Sequence, residues 1–335
     1  MKSNGFHSVE TRRRWLAVGV AWPALAWTGA LRAQANAPVV IGWLANGTRD
    51  GRGLLNAFTE GMAALGWKLG AQYVLEERHA DGQVARLPAL ALELAAMKPA
   101  VIVAWPSSAA RAANKAAPTT PVVLVSGDAL ASGLVTSLAR PGGIITGTSN
   151  MSSDTVQKVI ELLIETLPKL QRVGFLADAT TASTNGRALT RVRGTAERLR
   201  LQAVVAELAG PQDIEPAMAR LVKAKVQALV LLPSAWFSAH LSTIVRAALA
   251  QRWPVVGSPG NIPGQGGLFN YGADGEALSR RAAHYVDRIL KGAKPGELPI
   301  EQPTIFELTL NMKTAKTLGI TFPPSILLRA TLVIE

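Results

Sequence analysis

The sequence predicts an α/β protein of two lobes, each a parallel sheet flanked by helices, with the chain crossing between them more than once. Three observations predict it. Short β-branched runs alternate with longer alanine- and leucine-rich stretches of helical period from Val39 to Tyr271. The alternation fills roughly 38–148, then starts again after Asn150 and fills roughly 149–271. The chain beyond the first 35 residues is also longer than one core usually organises, which is about 250–300 residues.

Residues 1–35 read as an export signal and stand outside the fold. Thr11-Arg12-Arg13-Arg14-Trp15-Leu16 closes a basic segment, Leu16 to Ala30 is apolar, and Ala33-Gln34-Ala35 offers a small-x-small cleavage pattern. The apolar run is about 15 residues, short of the ~20 a bilayer needs, and Pro23 interrupts it. The arginine pair resembles a twin-arginine signal; an ordinary secretory signal with an extra arginine is the other reading.

In the first lobe, Val39–Leu44 reads as a buried strand, and Gly53–Leu65 as a helix closed by Gly66. Tyr73–Glu76 is a strand, Leu87–Met97 a helix with Pro88 in its first turn, and Ala100–Ala104 a strand. Ser107–Ala116 is a helix, and Pro121–Val125 and Ile144–Gly147 are strands. In the second lobe, helices are expected over Ser153–Leu167, Ala188–Leu199, Ile214–Ala224 and Ser238–Ala250. Strands are expected over Val173–Ala177, Gln202–Ala206, Ala228–Leu232, Pro254–Gly257 and Gly267–Tyr271. A long helix, Ala277–Leu290, a turn-rich connector, a strand over Thr304–Leu310 and a short helix through Leu318 follow. This tail is expected to cross back between lobes, so that the first lobe takes 36–148 plus about 272–305 and the second 149–271 plus about 306–335.

The formal net charge is +12, with five of the cations and one acidic residue in the first 35 residues. The remaining cations scatter over helix faces, without interleaved aromatics or a helix-turn-helix pattern, so nucleic acid is not expected as a partner. A basic surface suits work beside an anionic membrane. The absence of cysteine removes thiol catalysis, disulfides and cysteine metal sites, and the four histidines lack ligand spacing. No metal or other cofactor is expected.

Ligands of open parallel sheets bind beyond the carboxyl ends of the strands. Those loops carry Asn46 and Thr48, then Trp105, Ser107 and Ser108, then Asp128. In the second lobe they carry Asp178, Thr181 and Ser183, then Ser234 and Trp236, then Ser258, with Tyr271 ending a strand. There is no Gly-x-Ser-x-Gly elbow, no base beside a nucleophile, no Gly-x-Gly-x-x-Gly and no Walker-type loop, so binding fits better than catalysis. Ser107 and Ser108 open a helix and either cradle an anion or cap that helix. Asp128 either neutralises an ammonium or serves the turn beside Gly127. Trp105 and Trp236 either sandwich an apolar or aromatic ligand or pack between lobes. Tyr271 is open to hinge packing or ligand contact. An anion cradle beside a carboxylate suits an amino-acid-like ligand.

Several long stretches carry a resemblance. They include Phe58 to Trp67, Asp81-Gly82-Gln83 ahead of Arg86 to Ala91, Ser132 to Gly143, Tyr285 to Pro295, Leu298 to Thr304 and Pro323 to Ala330. Over these the chain resembles the ABC transporter substrate-binding proteins of the tryptophan/tyrosine-binding type. The resemblance implies a periplasmic-binding-protein type I fold: α/β, with two Rossmann-like lobes joined by a multi-segment hinge. It also implies ligand capture by domain closure and docking onto an inner-membrane permease. With the export signal, the mature chain is expected in the periplasm, as a monomer. The site loops depart from it. Similar proteins carry Gly-Thr-Pro-Ala at Trp105-Pro106-Ser107-Ser108, Gly-Asp-Pro-Val at Gly127-Asp128-Ala129-Leu130, and Asn-Pro-x-Asn-Pro at Asp178 to Ala182. Asp128 is retained, and the other changes leave the ligand open. A sensory protein presenting ligand to a membrane receptor, and an exported enzyme on the same scaffold, are the rival readings.

Overall fold

A computed structural model describes residues 37–49, 53–179, 182–258 and 261–335. The expected export segment lies outside them. Within Ala37–Glu335, strands and helices alternate as β1 Val39–Ala45, α1 Gly53–Ala64, β2 Tyr73–His79, α2 Leu87–Ala96, β3 Val101–Trp105, α3 Ser107–Ala116, β4 Val122–Gly127 and β5 Ile145–Ser149. The second set is α4 Ser152–Thr166, β6 Arg172–Asp178, α5 Ala182–Arg198, β7 Gln202–Leu208, α6 Ile214–Lys223, β8 Ala228–Leu231, α7 Ala235–Ala250, β9 Val255–Gly257 and β10 Phe269–Ala273. The tail comprises α8 Gly275–Leu290, β11 Phe306–Asn311, α9 Met312–Leu318, α10 Pro324–Leu327 and β12 Leu332–Ile334.

Two sheets result, a five-stranded β2-β1-β3-β4-β5 and a seven-stranded β12-β11-β10-β9-β8-β6-β7. The pairs are parallel except β10 with β11. Period-two alternation buries both faces of the first sheet. Ile41, Trp43, Val101, Val103, Val123 and Val125 pack with α1 and α8, whereas Leu44, Ile102, Ala104, Val122 and Leu124 pack with α2 and α3. The second sheet divides likewise, with Val173, Phe175 and Val230 toward α4 and α5, and Leu176, Leu229 and Leu231 toward α6 and α7. Continuous apolar runs in the sequence are what strands covered on both faces require.

The chain passes between sheets after β5, after β10 and before β11. Helix α8 follows a strand of the second sheet, yet packs closely on α1 of the first lobe. A Cβ at Gly61 would lie 2.7 Å from Arg280 O and 2.8 Å from Ala283 Cβ, so only glycine permits that approach. The crossings lie together: Ser149 N donates to Glu301 O at 2.8 Å and Glu301 N to Gly147 O at 3.0 Å. Arg281 clamps the Glu301 carboxylate with two bonds of 2.7 Å, and Tyr285 donates its hydroxyl to Pro299 O at 2.7 Å.

Some element bounds differ from those read in the sequence. Helices α7 and α8 begin earlier, because Ser234 accepts from Trp236 N and Asp274 from Glu276 N and Ala277 N, and such caps set the first turn. Helix α5 starts at Ala182 rather than Ala188. The tail's antiparallel turn through β11, and the edge strand β12 beyond it, were not read from the sequence.

Candidate ligand site between the lobes

The carboxyl ends of the two sheets face each other. Gly82, just past β2, lies against the N-terminal part of α7, where its Cβ would come within 2.8 Å of Ala239 Cβ. Asp128, just past β4, bonds to the first turn of α4: its Oδ2 accepts from Ser153 N at 3.3 Å.

On the first lobe, Asn46 follows β1, Trp105 ends β3, Ser107 and Ser108 open α3, and Asp128 follows β4, and these three strands are neighbours in the sheet. Asn46 is fully buried, and neither its amide oxygen nor its amide nitrogen has a hydrogen-bond partner. Its backbone is well paired, with Asn46 N donating to Trp105 O at 2.9 Å and accepting from Gly82 N through its carbonyl at 2.6 Å. Leaving a buried side-chain amide unmet costs about 1–3 kcal/mol, so this residue is held ready for polar atoms brought from outside. Helix α3 starts beside it with no side-chain cap, leaving its N-terminal dipole end open. The half-buried Ser107 and Ser108 flank that end. Ser107 lies so close to β4 that a Cβ at Gly127 would fall 2.6 Å from its Oγ. The Trp105 indole lies over Gly47, where a Cβ would come within 2.7 Å of Cζ3. Thr48 is exposed.

Asp128 has a structural assignment as well. Oδ1 accepts from Ala131 N at 3.0 Å and so closes its own turn, while Oδ2 reaches the second lobe. A carboxylate offers about four acceptor sites, so two remain for a ligand.

On the second lobe, Asp178 ends β6, Ser234 and Trp236 follow β8, and Ser258 follows β9. Tyr271 does not end its strand as expected: pairing with β11 carries β10 on to Ala273 and leaves Tyr271 at its middle. The side chains of these residues are largely engaged with the protein. Ser234 donates to Asp178 Oδ2 at 2.5 Å and caps α7. The Trp236 indole is buried in the core between α6 and α7, 4.4 Å from the His240 ring and edge-on to Phe237. Burial lowers the pKa of His240. Ser258 Oγ donates to Tyr271 O at 3.0 Å and pairs with Thr155 Oγ1 at 2.8 Å. Tyr271 stacks on Phe306 at 5.7 Å, and burial raises its pKa. Thr181 and the Ser183 side chain lie outside the described residues.

Two further buried polar groups at strand and helix ends were not singled out in the sequence. Ser153 is buried with an unpartnered Oγ at the start of α4. His79 ends β2 with Nδ1 buried and unpartnered, while Nε2 pairs with Glu77 Oε2 at 3.1 Å. A hydroxyl at a helix start and a histidine closing a strand were the available signals. Two surface grooves, about 500 and 450 Å³, lie on the second lobe away from these loops. Among the described residues no group of side chains could hold a metal ion, and no helix is long and apolar enough to cross a membrane.

Comparison with known proteins agrees with a binding site. A family model described as ABC transporter substrate binding protein matches residues 51–334. A tyrosine-binding protein of Clostridioides difficile (strain R20291) is 23% identical over 262 residues, spanning 78% of this chain and 75% of the relative. Two solved structures are similar at 23% identity, each over 89% of this chain and 100% of theirs. One is a conserved domain protein from Vibrio cholerae, with a TM-score of 0.83. The other is an ABC domain in complex with L-Trp from Streptococcus pneumonia, at 0.82. The fold is the type I periplasmic-binding-protein fold.

Proposed function

We propose that this chain, which belongs to the ABC transporter substrate binding protein family, is the exported solute-capturing component of an ABC importer, taking an amino acid or a related aromatic carboxylate between its lobes. The family is one of solute-binding proteins rather than enzymes. The observation that carries the reading is Asn46, buried with both amide atoms unmet beside the uncapped start of α3.

A ligand carboxylate placed at that helix start meets free N–H groups, the positive dipole end and the two serine hydroxyls. The Asn46 amide completes its hydrogen bonding. The spare acceptor sites of Asp128 suit an ammonium one loop away. The Trp105 indole gives an apolar wall for a flat side chain. Relatives that bind tyrosine or L-Trp support an amino-acid ligand.

The lobes, 36–148 with about 272–305 and 149–271 with about 306–335, act as two bodies around the adjacent crossings. A ligand touching both bodies stabilises the closed arrangement in proportion to its differential affinity for it. A permease in the inner membrane then recognises the closed monomer in the periplasm. Native mass spectrometry of protein purified without denaturation tests the reading, followed by calorimetry with tryptophan, tyrosine and their deaminated analogues. A carboxylate-bearing ligand with submillimolar affinity is expected. Absence of binding across amino acids and aromatic carboxylates would overturn it.

A further inference from the structure

Three turns of the second lobe break a local rule in the same way. Where α5, α6 and α7 end, the chain enters β7, β8 and β9 through left-handed residues, a position that normally takes glycine or asparagine. Here it holds Arg200 (φ 54°), Lys225 (φ 56°) and Arg252 (φ 58°). Each turn is closed by the next residue, with Leu201 N donating to Ala196 O, Val226 N to Leu221 O and Trp253 N to Ala248 O. Those apolar residues turn inward, and the long cations are left exposed. Dipole complementation does not account for the choice in α5 and α6, whose last turns already carry Arg198, and Arg220 with Lys223. Repeated departures from local preference mark a site under another demand.

The sheet order aligns these cations. Strands β9-β8-β6-β7 are neighbours, so Arg252, Lys225 and Arg200 stand along one edge, with Lys169 and Arg172 entering β6 between them. At about 4.8 Å per strand the row is roughly 14 Å long. Arg172 is tied into it, its Nε donating to Lys225 O at 3.0 Å. The nearby acidic groups are Glu197 in the last turn of α5 and Glu165 in that of α4, the latter held by Arg329 and Ser325. Glu335 lies at the far β12 end of the sheet. Lys169 and Arg252 also line the groove of about 450 Å³, whose walls include Leu167, Leu170, Pro254 and Ile320.

We infer that this rim is a docking surface for an anionic phospholipid membrane, with the cations on the headgroups and the groove receiving one lipid's glycerol region. Charge complementarity identifies the occupant. Nucleic acid fits less well, because Trp253 is buried and the rim offers no ring for a base to stack on. The rim lies at the amino ends of the strands, opposite the ligand loops, so docking leaves capture free. The inference rests on the exported, membrane-adjacent reading, but its test reads out separately.

The test uses protein recovered from export, its N-terminus read by mass spectrometry, in co-sedimentation with vesicles. The variant combines Arg200→Gly, Lys225→Gly and Arg252→Gly, which the left-handed turns favour, with Lys169→Gln. The parent should partition onto phosphatidylglycerol-containing vesicles but not pure phosphatidylcholine. The variant should bind at least about tenfold less, with thermal stability kept or raised and ligand calorimetry unchanged. Equal partition of parent and variant would overturn the proposal, as would indifference to phosphatidylglycerol. Tighter, variant-sensitive binding to a duplex oligonucleotide at physiological salt would also overturn it. Loss of ligand binding with vesicle binding intact would fail only the capture reading.

Discussion

Asp128 Oδ2 accepts the Ser153 backbone N–H at 3.3 Å, so a carboxylate from the first lobe caps a helix of the second. Asn150 reinforces the same joint, accepting from Ser152 N at 3.1 Å and donating to Ser126 O at 2.8 Å. The joint lies at the first chain crossing, and Asp128 ties the two lobes together there.

Replacing Asp128 by alanine removes the acceptor for two backbone amides. A loss of about 1–3 kcal/mol is expected, read as a lower melting temperature. Affinity for an amino-acid ligand should fall more than tenfold. Calorimetry with the deaminated analogue separates the causes: a loss confined to the amine-bearing ligand assigns the ammonium to Asp128, and an equal loss assigns the effect to the joint.

Asn46→Leu should behave in the opposite way on stability. The amide it removes is buried without partners, so the ligand-free protein should keep its melting temperature or gain. Ligand affinity should fall at least about tenfold, the worth of about 1.4 kcal/mol. Thermal shift with and without ligand checks both, and a destabilised protein with unchanged affinity would remove Asn46 from the site.

The contact between Gly82 and Ala239 gives a test of closure. Ala239 is exposed on its own lobe, so Ala239→Trp should leave folding intact while wedging the lobes apart. Affinity should drop by at least about tenfold, and X-ray scattering at saturating ligand should show a larger radius of gyration than the parent's.

The Arg281–Glu301 pair predicts an acid dependence at the crossings. The bidentate guanidinium, ahead of any opposing burial, holds the Glu301 carboxyl below its ordinary pKa. A depressed pKa contributes stability that is present above the unfolded value, about 4.3, and lost as pH falls through the folded one. Glu301→Gln should therefore lower the melting temperature at neutral pH, and the difference should close under acid. Both side chains are more than a third exposed, so the effect should be a few degrees at most.

Much of the fold was legible because both sheets are covered on both faces. Val101-Ile102-Val103-Ala104 and Ala228-Leu229-Val230-Leu231 could only be buried strands, and the helical periods between them left few other topologies. The caps at Ser234 and Asp274 were visible as residue types, but not as the helix starts they set. For the site, strand ends pointed to Asn46 and Asp128, which directly follow β1 and β4, and to Ser107, which opens α3. They could not separate those facing the crevice from those consumed locally. Ser234 is spent on Asp178 and its helix, and Trp236 on the core beside His240.

The sequence by itself determined the alternation of elements, the two lobes and the loops in which a ligand site could lie, because hydrophobic period and turn chemistry are local properties. Only the tertiary structure decided that Asn46 is buried without partners, that Asp128 spans the lobes, and that four turns far apart in sequence set their cations in one row. Each of these depends on which strands become neighbours and how closely two lobes approach, and that is fixed by long-range packing rather than by any window of residues.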